Sequence, residues 1–181
     1  MKISIFSTCS LALAVMLSVA EAQVPQSGAL TALRVLPPQF ANRVVRLSAD
    51  NGRPNPARWY VLARNSRDVL VHSIVIARGQ VTSVRPSLDA RQILNRRNFI
   101  NLSRVRVDSN EAFEIAGSAL GGAGQRMRSA SYQLTQTGPG VDPLWEVWAY
   151  GKRDRYLGVV QISARTGSVF SAERGLLSGL H

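Results

Sequence analysis

Few residues in this chain could do catalytic chemistry, and their spacing does not gather them. Nucleophilic catalysis wants a serine or cysteine beside a histidine. The histidines are His72 and His181, and the only cysteine is Cys9. His72 lies in the run Val71-His72-Ser73-Ile74 and reads as a partly buried strand histidine, because no Gly-x-Ser-x-Gly turn accompanies it. His181 is the last residue of the chain. A zinc site needs several His, Cys or carboxylate ligands at close spacing, and the sequence has no such group. Glu111 and Glu114 come closest to a carboxylate pair, but they fall in the first turns of a predicted helix, where negative charge suits the dipole. Gly121-Gly122-Ala123-Gly124 has the glycines of a phosphate loop, yet it follows a helix and lacks the Gly-Lys-Ser/Thr ending. The expectation is a non-enzymatic protein with no catalytic residue, no metal site and no cofactor.

The aromatic residues say more, because they recur. Residues 58–68 read RWYVLARNSRD and residues 144–154 read LWEVWAYGKRD. At one constant spacing Trp59 matches Trp145, Val61 matches Val147, Ala63 matches Ala149 and Arg67-Asp68 matches Arg153-Asp154. Gly52 matches Gly138 at that same spacing, and Ala77-Arg78 meets Ala164-Arg165 after a one-residue insertion. Such self-similarity is the mark of an internal repeat. Side chains alternate faces along a strand, so Trp59/Val61/Ala63 and Trp145/Val147/Ala149 form packing faces. The opposite faces carry Tyr60, Leu62 and Arg64, and Glu146, Trp148 and Tyr150. A sheet wetted on one side should be polar there, so these apolar residues need cover. That cover is either internal, with the two copies packed against each other or sharing one sheet with the linker folded across it, or a partner bound through Trp148, Tyr150, Tyr60 and Leu62, since exposed aromatics anchor interfaces.

The elements that must position these residues follow from period and punctuation. The runs at 58–64 and 144–150 and the β-branched runs VLVHSIVIA and YLGVVQISA read as strands separated by polar turns. Residues 126–136 alternate Ala130, Tyr132 and Leu134 as a strand should, and the alignment makes 43–49 its counterpart. The clearest helix opens at Asp108, with Glu111 three residues on, and stops at Gly121-Gly122. Pro37-Pro38-Gln39-Phe40-Ala41-Asn42 can open a short helix, and Asp89–Leu94 suits one or two helical turns. The expected class is α+β: two repeated antiparallel units, each with a helix on one face, the first helix short or degenerate.

The first residues read as a targeting segment. Lys2 precedes an apolar stretch and Ala20-Glu21-Ala22 offers small residues at the cleavage subsites, so residues 1–22 are expected to be a signal peptide cleaved near Ala22. The exported chain would then be periplasmic or extracellular, without cysteine and without a transmembrane segment. Its units are 23–86, a linker at 87–104, and 105–181.

The net charge is +11, from 22 basic and 11 acidic residues, and every basic residue but Lys2 and Lys152 is arginine. This balance fits either an acidic partner or a solvated basic surface. The arginines are scattered among apolar positions, which argues against nucleic acid, where a clustered stripe is usual.

The order DSNEAFEIA, a strand, WEVWA and VQISARTGSVFS resembles a PepSY domain over about residues 105–173. Such domains run from a capped helix into three antiparallel strands that end in an apolar-Asp-Ala-x-Thr-Gly-x-Val corner. Here Ser163 stands where aspartate is usual. The region from about 38 to 85 is a degenerate second copy. The resemblance implies binding or inhibition of a secreted peptidase, or of another envelope protein. The alternatives left open are an arginine-driven binder of an acidic envelope polymer and a structural envelope protein without a ligand.

Overall fold

The computed structural model describes residues 27–67, 70–87, 99–121 and 126–175. The signal segment, the helical turns expected at Asp89–Leu94, Gly122-Ala123-Gly124, Asp68 and His181 lie outside the described residues. The chain is α+β, as its sequence pattern implies. Eight strands form one antiparallel sheet: β1 (Val44–Gly52), β2 (Arg58–Arg64), β3 (Val71–Ala77), β4 (Gln80–Pro86), β5 (Ser129–Thr135), β6 (Leu144–Tyr150), β7 (Tyr156–Ser163) and β8 (Val169–Arg174). Their order across the sheet is β4-β3-β2-β1-β5-β6-β7-β8.

The repeats are thus the two halves of one sheet, joined through their first strands. Leu47 faces Val61 in the first half, and Tyr132 faces Val147 in the second. Across the join, Leu47 pairs with Leu134 and Ala49 with Tyr132. These registers place a pseudo-two-fold axis at the Ser48–Gln133 pair. The halves therefore lie side by side in one shared sheet and not face to face; residues 88–98 of the linker expected to fold across that sheet lie outside the described residues.

One face of the sheet carries the core. Alternation puts Trp59, Val61, Ile74 and Ile76 there in one half, and Tyr132, Trp145, Val147 and Val160 in the other, all buried. Trp59, Tyr132 and Trp145 meet across the join, with ring centroids 5.9 Å, 6.2 Å and 6.3 Å apart. Each pair has the tilted or edge-on geometry that aromatic quadrupoles favour.

Among the described residues, three α-helices cover this same face. Helix α1 spans Ala29–Arg34, α2 spans Pro38–Ala41, and α3 spans Ser109–Leu120. In α3, Ala112, Ala116 and Leu120 recur every fourth residue and form the buried stripe, which packs across β6, β7 and β8. Helix α2 has proline in its first turn, as its sequence suggests, and buries Phe40.

Helix α1 escapes sequence pattern, and it is the true counterpart of α3. The Trp145 indole N–H donates to the Val107 carbonyl at 3.0 Å, just before the α3 cap Asp108. The Trp59 indole N–H donates to the Ser27 carbonyl at 2.9 Å, just before the α1 cap Gly28. The repeated tryptophan is therefore a fixed element of each half: its ring fills the core and its N–H holds the chain entering the helix.

Candidate interaction surface

The four residues singled out as a possible interface all lie on the sheet face opposite the helices, but they do not form one patch. Strand registers define a row on that face running from edge to edge: Ser83, Val75, Tyr60, Ser48, Gln133, Glu146, Gln161 and Ser171. Tyr60 stands in this row and is 40% exposed. Trp148 lies one row to one side, flanked by Ser131 and Val159. Tyr150 follows it toward the end of β6. Leu62 lies one row to the other side, beside Arg46 and Ser73. The pseudo-two-fold axis exchanges Leu62 and Trp148, so they occupy diagonally opposite corners.

The Leu62 corner is closed. Leu62 is 8% exposed and forms a small buried cluster with Val71. The Trp148 corner is more open: Trp148 and Tyr150 are half-buried. Tyr156, which sequence reasoning missed, joins them with its ring 5.9 Å from that of Tyr150. It is 43% exposed. A bulge between Ala149 and Tyr150 pairs Tyr150 with Tyr156, so counting faces back along β7 gives the wrong parity.

Between the corners the face is polar and ordered. Gln133 Nε2 donates to Glu146 Oε2 at 3.0 Å, and Gln161 Nε2 donates to Glu146 Oε1 at 3.1 Å. Ser171 Oγ donates to Gln161 Oε1 at 3.1 Å. This ladder across β5, β6, β7 and β8 satisfies both carboxylate oxygens and stiffens half the sheet. The second face thus combines an aromatic corner, a wet middle and a buried apolar corner.

His72 is on the core face with its ring 5.3 Å from that of Phe40. Glu111 and Glu114 are both exposed on α3. Ser163 takes a turn-forming role: its hydroxyl accepts from the backbone N–H groups of Arg165 and Thr166 at 3.3 Å and 3.2 Å. An aspartate at this place could accept the same two bonds. Tyr132 is the most perturbed acid described. Burial, and then the Glu114 carboxylate, push its phenol well above the ordinary value of 10.0. Its hydroxyl donates to the Pro54 carbonyl at 2.6 Å.

The charges are unevenly neutralised. Arg104 and Arg165 share Asp142, each at 3.4 Å, and these are the ion pairs among the described residues. At the far end of the sheet, a cleft of about 410 Å³ is lined by Arg53, Arg128, Ser129, Gly151, Lys152, Arg153 and Asp154. No helix among the described residues is long and apolar enough to cross a membrane. No protein-family model, curated protein or solved structure matches the chain.

Proposed function

We propose that this chain is an exported, non-enzymatic interaction protein that binds a partner protein through the sheet face opposite its helices. The PepSY resemblance makes a secreted peptidase the first partner class to test, with modulation or inhibition as the outcome of binding. The observation that carries this reading is the placement of Trp148, Tyr150 and Tyr156 together at one corner, on the side away from α1, α2 and α3. Tyrosine and tryptophan give large contact area at low entropic cost, which makes them the usual anchors of protein interfaces.

The test is a titration of purified secreted peptidases with the chain, reading both affinity and residual activity, for wild type and for Trp148→Ala/Tyr150→Ala. Removing two anchors should weaken binding by at least about a hundredfold while the melting temperature stays near that of wild type. Unchanged binding, or a collapse in melting temperature, sinks the interface reading. An acidic envelope polymer is the second reading, favoured by the cations of the cleft, which form no ion pair among the described residues. It would show binding that falls steeply with added salt, whereas an aromatic contact tolerates salt.

A further inference from the structure

We infer that the cleft at the β1, β5 and β6 end of the sheet is a binding site for a phosphate-bearing group. Three arginines and one lysine, Arg53, Arg128, Lys152 and Arg153, surround a space that holds one carboxylate, Asp154. None of these four cations belongs to an ion pair among the described residues. Four cations around a single carboxylate leave an excess of positive charge, so an anion entering the cleft relieves their mutual repulsion and gains attraction. Arginine forks match the oxygens of phosphate in bidentate pairs, and a lysine adds a point charge. The space exceeds what a lone phosphate fills and lies in the range of small-ligand sites, so the phosphate arrives on a carrier.

The scaffold beneath the cations is fixed. Ser129 and Gly151 are buried and form the floor. The Arg128 N–H donates to the Tyr150 carbonyl at 2.7 Å, and the Gly151 N–H to the Arg155 carbonyl at 2.8 Å. Next to Arg53, the Pro54 carbonyl is held by the Tyr132 hydroxyl. The corner also keeps two successive non-glycine residues at positive φ, Arg153 at 59° and Asp154 at 55°. L-residues take that conformation in succession only where their surroundings impose it, and functional corners are where such strain collects.

The repeat provides an internal comparison. Val44 faces Ala63 as Ala130 faces Ala149, so the equivalent corner of the other half has Asn42, Arg43, Ser66 and Arg67. These stand where the cleft has Arg128, Ser129, Lys152 and Arg153. The β5–β6 loop, residues 136–143, has no basic residue to match Arg53. One framework is thus written twice, and the cations concentrate at one copy. A general arginine excess would load both corners alike.

Two probes separate the sources of phosphate. Inorganic pyrophosphate, titrated calorimetrically into the purified chain, represents a soluble phosphate ester. Co-sedimentation with phosphatidylcholine vesicles containing phosphatidic acid represents a lipid headgroup. Binding to either probe is expected, and the one preferred names the source. The double variant Arg53→Ser/Lys152→Ser should bind at least about tenfold more weakly at an unchanged melting temperature. Arg85→Ser, an exposed change on the β4 edge strand, should bind like wild type. The inference is overturned if neither probe binds, if Arg53→Ser/Lys152→Ser binds as wild type does, or if Arg85→Ser loses as much. These readouts do not involve Trp148 or a peptidase, so they stand or fall apart from the protein-binding proposal.

Discussion

Tyr132 shows how far a single residue can be read from its type and spacing. Alternation identifies it as an inward residue of β5, and its burial follows. Its place against both tryptophans does not follow, because it depends on how β5 pairs with β1. The consequence is a measurable pH dependence. The native phenol holds its proton above the ordinary value of 10.0, while the unfolded chain releases it there. Above that pH the unfolded state binds fewer protons than the native state, so stability falls as pH rises and is unaffected well below it. The loss should approach about 1.4 kcal/mol per pH unit for this one group. Urea unfolding followed from pH 8 to 11 should show that decline, and Tyr132→Phe should flatten it. Equal slopes in the two proteins would refute burial of the phenol as the cause. Trp148 illustrates the opposite limit: its face was legible, but the company it keeps was hidden by the bulge that brings in Tyr156.

At the level of elements, α3 was legible and α1 was not, and the reason is physical. Helix α3 has its own cap, a long apolar stripe and a glycine stop. Helix α1 has six residues, and the glycine at its cap has no side chain to accept a bond. Its cap comes from the other half of the molecule. Asp108 Oδ1 accepts from the Leu30 N–H at 3.1 Å as well as from the Ser109 N–H at 2.7 Å, and Ser109 Oγ accepts from the Ala29 N–H at 3.2 Å. Two helix N-termini therefore converge on one carboxylate, whose negative charge offsets both dipole ends. Gly28 leaves room for it, since a Cβ there would collide with the Asp108 carboxylate. Asp108→Ala should then cost more than an ordinary cap, about 2 kcal/mol against a usual value near 1 kcal/mol. Asp108→Asn, which keeps the acceptor and drops the charge, should cost less. Thermal melts of the two variants test this: equal losses would show that the neutral acceptor contributes nothing and the charge carries the shared cap, and no loss in Asp108→Asn would show the reverse.

At the scale of the whole molecule, the repeat was legible but the way its copies combine was not. Matching residues along a sequence reveals that a unit is written twice, and it carries no register between the first strands of the two copies. That register decides whether the halves are separate bodies or one sheet, and the β1–β5 pairing makes them one. Three features then tie the halves energetically. The Trp59–Tyr132–Trp145 cluster draws one indole from the first half and two aromatic rings from the second. The α1 cap is supplied by the sequence opening α3, and the chain at Ile100 donates back to the Val44 carbonyl at 2.7 Å. Opening either half would strip apolar cover from buried aromatic surface in the other and leave helix-end N–H groups without acceptors, so partial unfolding gains little entropy for a large loss of contact. Calorimetric unfolding should accordingly give a single transition, with calorimetric and van't Hoff enthalpies in a ratio of about 1. Two resolved transitions, or a ratio near 2, would mean that each half holds its own core and that the shared aromatic cluster contributes little to cooperativity.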